Sequence, residues 1–272
     1  MNFLITGGSG FIGKNLVLQL SKRKNIKKIN FKIDYIFHLA ADLGVEKIIK
    51  YPIKSLINNN LTTENIIKLA KTKKIKRIFF FSTSEVYSTL NKQGKMDEND
   101  NLMLPRLDHP RTAYWLSKIY GEFLTIMSGT PYTIFRIFNM YGPYMKTTHV
   151  IPSIFYQLKN KKRPIFQNPN HSRCFLFIDD GISLFLEALK PSYKNKIINI
   201  ANPFEEIKIK DLVNKIKKIL NVKKKVTYKN INNQSIFRRR PSINNIKKTK
   251  IKFTKLDQGL LLLKKYYENK NF

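Results

Sequence analysis

The chain opens with an apolar run and three glycines at fixed spacing, and this feature constrains the fold more than any other. Residues 2–6 are Asn-Phe-Leu-Ile-Thr, followed by Gly7, Gly10 and Gly13. Gly7 can take a left-handed turn, Gly10 lets the backbone approach phosphates, and Gly13 lets a helix pack closely. Other glycine turns bind nothing, but a position directly after an apolar strand favours phosphate binding at a helix N-terminus. The opening therefore predicts an α/β fold that begins with a dinucleotide-binding unit.

Apolar runs and helical patterns alternate along the rest of the chain. In the first half they predict strands over residues 2–6, 35–39, 76–82 and 132–137, and helices over 12–22, 57–72 and 112–128. Beyond residue 143 they predict helices over 150–160, 180–190, 208–220 and 256–268, and a strand over 197–200. This succession is typical of a doubly wound parallel sheet. We expect a dinucleotide-binding domain over 1–143 and a mainly substrate-binding lobe over 144–272, some of whose segments return to the core.

The composition restricts the kinds of partner. Lys and Arg number 51 against 18 Asp and Glu, which gives a formal net charge of +33. A clustered excess would indicate nucleic acid, but these cations are spread over nearly every predicted element, without a helix-turn-helix or zinc-ligand motif. We interpret them as solvated lysine faces, with weak polyanion binding as the alternative. We therefore expect no specific nucleic-acid partner.

Cysteine content and hydropathy indicate the compartment. Cys174 is the one cysteine of the chain, so no intrachain disulfide can form, which is typical of a reducing cytoplasm. No apolar run is long enough to span a bilayer, and the first strand leaves no room for a basic signal region. We expect a soluble cytoplasmic protein with no membrane partner.

Six further motifs follow the glycine turn. They are residues 34–41 (Asp-Tyr-Ile-Phe-His-Leu-Ala-Ala), 82–87 (Ser-Thr-Ser-Glu-Val-Tyr), 114–118 (Tyr-Trp-Leu-Ser-Lys), 136–139 (Arg-Ile-Phe-Asn), 141–143 (Tyr-Gly-Pro) and the stretch from Arg173 to Asp179. In this order they resemble the extended short-chain dehydrogenase/reductase family of nucleotide-sugar epimerases, dehydratases and decarboxylases. Residues 82–87, 199–203 and 239–243 are most similar to UDP-glucuronate decarboxylases, although related dehydratases and epimerases share parts of this set.

The resemblance implies a cofactor, a substrate class and an assembly. These are NAD, a UDP-linked nucleotide sugar and a homodimer. It implies cofactor contacts at Gly7, Gly10, Phe11, Ile12, Gly13, Leu39, Ala40, Ala41, Ser82, Tyr114 and Lys118. It implies substrate contacts at Ser84, Glu85, Asn139, Arg173 and Arg239. It also implies that Tyr114, Lys118, Thr83 and Glu85 are the catalytic residues.

Tyr114 and Lys118 have a rationale of their own. A spacing of four places both side chains on one face of the predicted helix. A tyrosine with a pKa of about 10 is a poor base until a neighbouring ammonium favours its phenolate, and we expect Lys118 to lower this pKa. By resemblance, Tyr114 takes a proton from a sugar hydroxyl as hydride leaves for the nicotinamide, Lys118 holds the nicotinamide ribose, and Thr83 hydrogen-bonds the reacting oxygen. The alternative, that the pair merely decorates a helix of a lysine-rich chain, is disfavoured by the ordered motifs.

Glu85 and Ser84 bear on the type of reaction. Once a sugar carbon becomes a ketone, a carboxylate one carbon away becomes a leaving group, whereas a hydrogen there becomes acidic. Glu85 lies where the decarboxylase pattern has its carboxylate, and Ser84 lies where dehydratases carry Asp. This argues against dehydration and leaves epimerisation open. The alternative for Glu85, a loop carboxylate paired with lysines, also stays open.

The remaining polar candidates divide into substrate contacts and structural residues. Guanidinium groups at Arg173 and Arg239 suit a diphosphate or a sugar carboxylate. The alternatives are one more charge in the basic run 238–240 for Arg239, and a strand-end cap for Asn139. We interpret His38 as packed beside the cofactor, and the histidines form no spaced ligand set, so we predict no metal. Two positions depart from the family: Tyr144 replaces a common Arg, and residues 168–170 (Asn-Pro-Asn) replace a glycine turn.

About a dozen residues join the first helix to the strand at residue 35, where relatives carry two more strands, a helix and the acid for the adenosine ribose. Asp34 lies about 20 residues past the glycines, the usual spacing of that acid, yet it begins a strand instead of ending one. We therefore predict a Rossmann-type sheet that lacks part of its second and third strand region, truncated between residues 23 and 34. Each lost charged hydrogen bond weakens cofactor binding by about 1.5–3 kcal/mol.

The truncation has two structural consequences. If the first helix keeps its usual face, the connection to the next strand is a rare left-handed crossover; otherwise the helix has moved or residues 24–33 follow an unusual path. In addition, the first strand becomes an exposed edge of the sheet, which a bulge, charge or partner must protect.

Three functions compete. The first is an NAD-dependent nucleotide-sugar enzyme, most specifically a UDP-glucuronate decarboxylase-like one. The second is a non-catalytic nucleotide-sugar-binding protein of the same fold that has lost cofactor retention. The third is a polyanion-binding protein. Intact Tyr114, Lys118, Thr83 and Glu85 favour the first, the truncation favours the second, and the dispersed lysines disfavour the third.

Overall fold

The computed structural model describes residues 1–21, 32–42, 44–87, 95–102, 106–231, 237–246, 249 and 251–270. Its strands are β1 (Phe3–Thr6), β2 (Tyr35–His38), β3 (Arg77–Thr83), β4 (Tyr132–Ile137), β5 (Asn139–Tyr141), β6 (Ile165–Gln167), β7 (Ser172–Phe177), β8 (Lys196–Ile200), β9 (Glu206–Lys208), β10 (Thr227–Lys229) and β11 (Arg238–Arg239). Its α-helices are α1 (Phe11–Ser21), α2 (Val45–Lys50), α3 (Pro52–Thr72), α4 (Thr112–Met127), α5 (Val150–Asn160), α6 (Ile178–Glu187), α7 (Ile209–Leu220) and α8 (Leu256–Glu268). Short 3₁₀ helices span Ser84–Tyr87, Pro191–Tyr193 and Asn244–Ile246.

The centre of the molecule is a sheet of five parallel strands in the order β1-β2-β3-β4-β8. The middle strand β3 is buried from Arg77 to Ser82, as expected of a parallel strand covered on both faces. Its Phe79, Phe80 and Phe81 are at most 4% exposed. The predicted parallel α/β fold is therefore confirmed, and β4 and α5 have the predicted bounds.

Successive strand residues point to opposite faces of this sheet. On one face, the rings of Phe37 and Phe79 stack at 4.5 Å, and Phe185 of α6 lies 4.9 Å from Phe135. On the other face, Ile36 and Ile78 belong to a cluster with Ile66, Ile67 and Ala70 of α3. Because α1 packs beside α6 and α3 packs beside α4, the four helices form a layer on each side.

The strand β1 forms the edge of the sheet, and within the described residues it pairs with β2 alone. The expected edge is therefore confirmed. The strands β1, β2, β3 and β4 follow one another across the sheet in chain order, yet α1 lies on the face opposite α3 and α4. This position gives the first connection the opposite hand to the next two. The predicted path through residues 24–31 lies outside the described residues.

The second half of the chain builds smaller sheets against the first. β7 pairs in parallel with β5 and β11 and antiparallel with β9, and β6 pairs with β10. One hydrophobic cluster runs from Leu16 through the main sheet to Tyr267 of α8. The division at residue 143 stays a prediction. No helix in the described ranges is both long enough and apolar enough to cross a membrane.

Candidate active site

The glycine turn lies directly against the end of β2. Gly7 has φ +73°, and a Cβ there would come within 2.8 Å of the Ala40 nitrogen. A Cβ on Gly13 would overlap the Gly7 carbonyl, whose oxygen accepts a hydrogen bond of 3.0 Å from the Gly10 N–H. Glycine is therefore required at both ends of the turn, since side chains would force apart α1, β1 and β2.

A histidine bridge fixes the ends of the first two strands. Thr63 donates its hydroxyl proton to the Asn59 carbonyl, so it accepts from His38 Nε2 at 3.1 Å. The other ring nitrogen, Nδ1, then accepts from the Thr6 hydroxyl at 2.9 Å. Burial, and secondly the charge of Lys118, lowers the pKa of His38 to about 3. His38 is therefore a neutral structural residue, as a position among packed strands predicts.

The other predicted cofactor residues occupy the carboxyl ends of the strands. The Leu39 and Ala40 N–H groups donate to the Thr6 carbonyl and hydroxyl, both at 3.2 Å, so the segment that continues to Ala41 follows the glycine turn closely. Phe11 and Ile12 begin α1 and pack on the core. The Ser82 hydroxyl donates to Glu122 at 2.5 Å, which directs it into the protein.

Lys118 and Tyr114 lie on the same helix, but the ammonium is not directed at the phenol oxygen. Lys118 is buried and donates to the Phe81 carbonyl at 2.8 Å, while its Nζ lies 5.9 Å from the Tyr114 ring centre. Burial lowers the pKa of Lys118 to about 8. Burial, and then the charge of Glu85, raises the pKa of Tyr114 despite a hydrogen bond with Thr83. The expectation that Lys118 lowers the pKa of Tyr114 is therefore not met in this geometry.

Glu85 is a largely buried carboxylate, with 16% of its side chain exposed, and it is held by two arginines. Its oxygens accept from Arg111 Nη2 at 3.2 and 3.3 Å, from Arg239 Nη2 at 3.3 Å, and from the indole N–H of Trp115. Burial opposes ionisation, but the charges of Arg239 and Arg111 outweigh it, so the pKa of Glu85 is lowered. The alternative that Glu85 pairs with lysines is wrong, because its described partners are two guanidinium groups and an indole.

Strand pairing explains the positions of Arg173 and Arg239. β11 pairs with β7 so that Arg239 lies beside Arg173, whose pKa is lowered to about 9 by burial and then by Arg239. Successive residues of β11 point to opposite sides of the strand, so its two arginines have different partners. Arg238 pairs with Glu206 at 2.6 Å, whereas Arg239 is buried beside Glu85. The interpretation of Arg239 as one more solvated charge is therefore wrong.

Arg111 is a further member of this cluster that the sequence motifs do not indicate. It precedes α4 by one residue, and its spacing of three before Tyr114 was the available signal. Arg111, Arg173 and Arg239 carry three positive charges against the one negative charge of Glu85, so the cluster has a formal excess of two. Such an excess in a buried setting suits an anionic ligand.

Among the described residues, three buried polar atoms of the predicted site residues have no hydrogen-bond partner. They are the Ser84 hydroxyl, Asn139 Oδ1 and Arg239 Nε. Each buried polar atom without a partner destabilises the folded protein by about 1–3 kcal/mol, so native proteins contain few such atoms. All three belong to residues predicted to bind substrate, and Asn139 Oδ1 does not cap a strand. These atoms fit a polar ligand that supplies the missing partners.

The departures from the family pattern have defined conformations. Tyr144 has φ +69°, and Lys14 Nζ lies 4.1 Å above the centre of its ring. Asn168 has φ +49°, which is the left-handed conformation of a glycine turn. Asn tolerates this conformation better than most other residues do. In the described ranges no group of three or more His, Cys, Asp or Glu residues could hold a metal.

Comparison with known proteins identifies the family of this chain and a set of similar proteins whose names state several different reactions. Residues 18–201 match the family described as NAD dependent epimerase/dehydratase. A UDP-N-acetyl-alpha-D-glucosaminuronate decarboxylase of Bacillus cytotoxicus is 30% identical over 75% of this chain and 75% of its own length. A dTDP-D-glucose 4,6-dehydratase of Dictyostelium discoideum is 30% identical over 74% of this chain, and this chain spans 58% of that relative. The UDP-glucose 4-epimerase structure from Thermotoga maritima has a TM-score of 0.85 at 20% identity, with 100% of both chains covered.

Proposed function

We propose a function from one established premise, which is that this chain belongs to the NAD dependent epimerase/dehydratase family. NAD is the cofactor of that family. The protein is then an NAD-dependent nucleotide-sugar enzyme of the UDP-glucuronate decarboxylase type. The observation that carries this proposal is the largely buried ion pair of Glu85 and Arg239 beside Tyr114, in which Arg239 Nε has no partner among the described residues.

The first step is oxidation of a sugar hydroxyl. Tyr114 accepts the hydroxyl proton, and Thr83 hydrogen-bonds the same oxygen. A bound NAD would supply the acceptor for the hydride of the neighbouring C–H bond and the donor for its return. Gly7 and Gly13 would hold its pyrophosphate, and Lys118 would hold its nicotinamide ribose. The pKa of Tyr114 must fall from its raised value for proton transfer at neutral pH.

The second step is loss of the sugar carboxylate. The C–C bond to the carboxylate breaks, CO₂ leaves, and the electron pair moves into the ketone as an enolate, whose oxygen is the one that Tyr114 and Thr83 contact. Water protonates the enolate carbon, and Tyr114 gives its proton back to the oxygen when hydride returns to the sugar.

Arg239 binds the carboxylate, while Glu85, itself held by Arg111, keeps the Arg239 guanidinium in place. Ser84 supplies no acid for dehydration. The excess positive charge of the arginine cluster supports a substrate with an additional carboxylate.

The test compares two nucleotide sugars that differ in this carboxylate. We expect purified protein with NAD to release CO₂ from UDP-glucuronate and to leave UDP-glucose unchanged. Arg239→Lys keeps the charge and removes the guanidinium fork, so CO₂ release should fall by about 10- to 100-fold. The matched control is Arg238→Lys in the same basic run, which pairs with Glu206 and should keep wild-type activity.

Other outcomes assign other functions. Turnover of UDP-glucose without CO₂ release from UDP-glucuronate would make the protein an epimerase. Binding of UDP-glucuronate without any hydride transfer would support the second candidate, a non-catalytic nucleotide-sugar-binding protein. The short connection between α1 and β2 and the raised pKa of Tyr114 favour that candidate.

The face formed by α3 and α4 supports a homodimer. Ile53, Ile57 and Leu61 recur every four residues on α3 and are 73%, 50% and 51% exposed, and Phe123 and Met127 of the adjacent α4 are 57% and 65% exposed. Exposed apolar residues repeated along two adjacent helices are typical of an interface, and we propose that a second copy covers them.

Phe123→Asp should therefore convert a dimer into monomers in sedimentation velocity. The control is Phe204→Asp, which changes a phenylalanine that is 76% exposed elsewhere on the surface. A wild-type protein that sediments as a monomer at micromolar concentration would refute the dimer.

A further inference from the structure

We propose that this protein holds its dinucleotide by the nicotinamide and pyrophosphate portions alone, so that the adenosine portion adds little affinity. The inference rests on the proposed function for the use of a nicotinamide cofactor. It goes further in assigning which half of that cofactor the chain recognises. A cofactor held in this way exchanges with the free pool between turnovers.

The positions of Gly7 and Tyr114 determine how a dinucleotide runs across the sheet. Gly7 follows β1, whereas Thr83, the hydrogen-bond partner of Tyr114, ends β3 two strands further in. Ligands of parallel sheets lie across the carboxyl ends of the strands. The nicotinamide portion therefore belongs over β2 and β3, and the adenosine portion belongs on the outer side of β1.

On that outer side the described part of the chain provides no further strand, because β1 ends the sheet. About a dozen residues separate Ser21 from Asp34. A crossover between two parallel strands takes about a dozen residues by itself, so the connection is too short to add a strand, a helix and a return. The described part of the chain therefore has no second strand whose end an adenosine ribose would meet.

Two carboxylates on this side of the molecule are already engaged. Asp34 lies at the amino end of β2, where it accepts from the Asn2 N–H at 2.9 Å and pairs with Lys76 at 2.9 Å. Lys76, and then Asn2, lowers the pKa of Asp34. Asp42 follows β2 at the carboxyl end but is bound by Lys47 and Asn58. Asp34 therefore lies at the wrong end of the sheet for a ribose, and both oxygens of Asp42 already accept from side chains of this chain.

The nicotinamide half of the cofactor site has its predicted residues in place, so the two halves of the site differ. The glycine turn, the buried Lys118 and the Tyr114–Thr83 pair all lie on the nicotinamide side. A charged hydrogen bond to a ribose is worth about 10- to 100-fold in affinity. Without it, the dinucleotide and a nicotinamide mononucleotide that keeps both phosphates bind alike. NAD and NADP also bind alike, because nothing described at the edge of β1 reads the 2′ position.

The experiment titrates wild-type protein with NADH, NADPH and a reduced nicotinamide mononucleotide that carries both phosphates, the riboside 5′-diphosphate, following the fluorescence of the reduced nicotinamide. We expect the three dissociation constants to lie within about tenfold of one another. Binding of NADH more than about tenfold tighter than this mononucleotide would overturn the inference, because the adenosine portion would then be recognised by this chain or by a second copy.

A variant provides a second measurement. Asp34→Asn keeps an acceptor for the Asn2 N–H and should leave the ratio of NADH to NADPH affinity unchanged. A change of more than about tenfold would make Asp34 a ribose acid after all and overturn the inference.

The outcomes separate this inference from the proposed function. If CO₂ is released from UDP-glucuronate and NADH binds more than about tenfold tighter than the mononucleotide, the function stands and the inference fails. If the three ligands bind alike without turnover of UDP-glucuronate, the inference stands and the function fails. If none of the three ligands binds, both fail.

Discussion

Replacing Tyr114 by phenylalanine is expected to lower CO₂ release from UDP-glucuronate by about 10²- to 10⁴-fold. The variant removes one oxygen, which the proposal assigns to accepting the proton of the sugar hydroxyl. The aromatic ring stays, so its contacts within the buried site are kept. Affinity for UDP should stay near that of the wild type, because the arginine cluster and Asn139 are unchanged. The measurement is single-turnover CO₂ release together with a binding titration with UDP.

The control for this variant lies on the same helix. Tyr120→Phe also removes one phenol oxygen from α4, where it donates to Glu64 at 2.8 Å, away from the glycine turn. It should keep wild-type turnover. If Tyr114→Phe retains more than about a tenth of the wild-type rate, Tyr114 is not the base and the redox chemistry proposed here is wrong.

Replacing Arg136 by methionine is expected to reduce the free energy of unfolding by about 3–5 kcal/mol. Arg136 donates from Nε and Nη2 to Glu122 at 3.1 and 2.8 Å, and both side chains are 4% exposed. It also donates to the Glu98 carbonyl at 3.2 Å. Methionine fills much of the same volume but leaves the charge of Glu122 buried without a cation, beside Ser82. Urea unfolding at neutral pH measures the change.

Two further variants test whether the loss comes from the buried charge. Arg136→Met combined with Glu122→Met removes both charges and should recover much of the lost stability. Arg106→Met breaks an ion pair with Asp108 in which the side chains are 75% and 61% exposed, so it should have no measurable effect. An Arg136→Met protein as stable as the wild type would show that this ion pair does not hold α4 on the sheet.

Elements with a strong apolar pattern were predicted closely, and elements without one were missed. β3 and β4 are runs of large apolar residues, so their positions follow from the sequence. α3 begins at Pro52, earlier than the predicted residue 57, because its first turns expose Ile53 and Ile57 to solvent and give no core-facing period. β7 was not predicted because its buried residues begin with Ser172 and Arg173, two polar residues that do not fit an apolar pattern.

The candidate site divides in a similar way. Local spacing predicted that Tyr114 and Lys118 share a helix face, and the glycine spacing predicted a tight turn before α1. The partners of Glu85 could not be read locally, since Arg239 lies 154 residues away in the sequence. The same holds for Asn139 and Arg173, which come together through the pairing of β5 and β11 with β7.

The sequence by itself determined the class of fold, the order of the motifs and the truncation before β2, because apolar periodicity, glycine spacing and chain length act over short stretches of chain. Only the tertiary structure decided the charge state of the site: an ionised Glu85 between Arg111 and Arg239, and a Tyr114 whose pKa is raised instead of lowered. The physical reason is that burial and electrostatic interaction depend on the distances between groups that the fold brings together from distant parts of the chain.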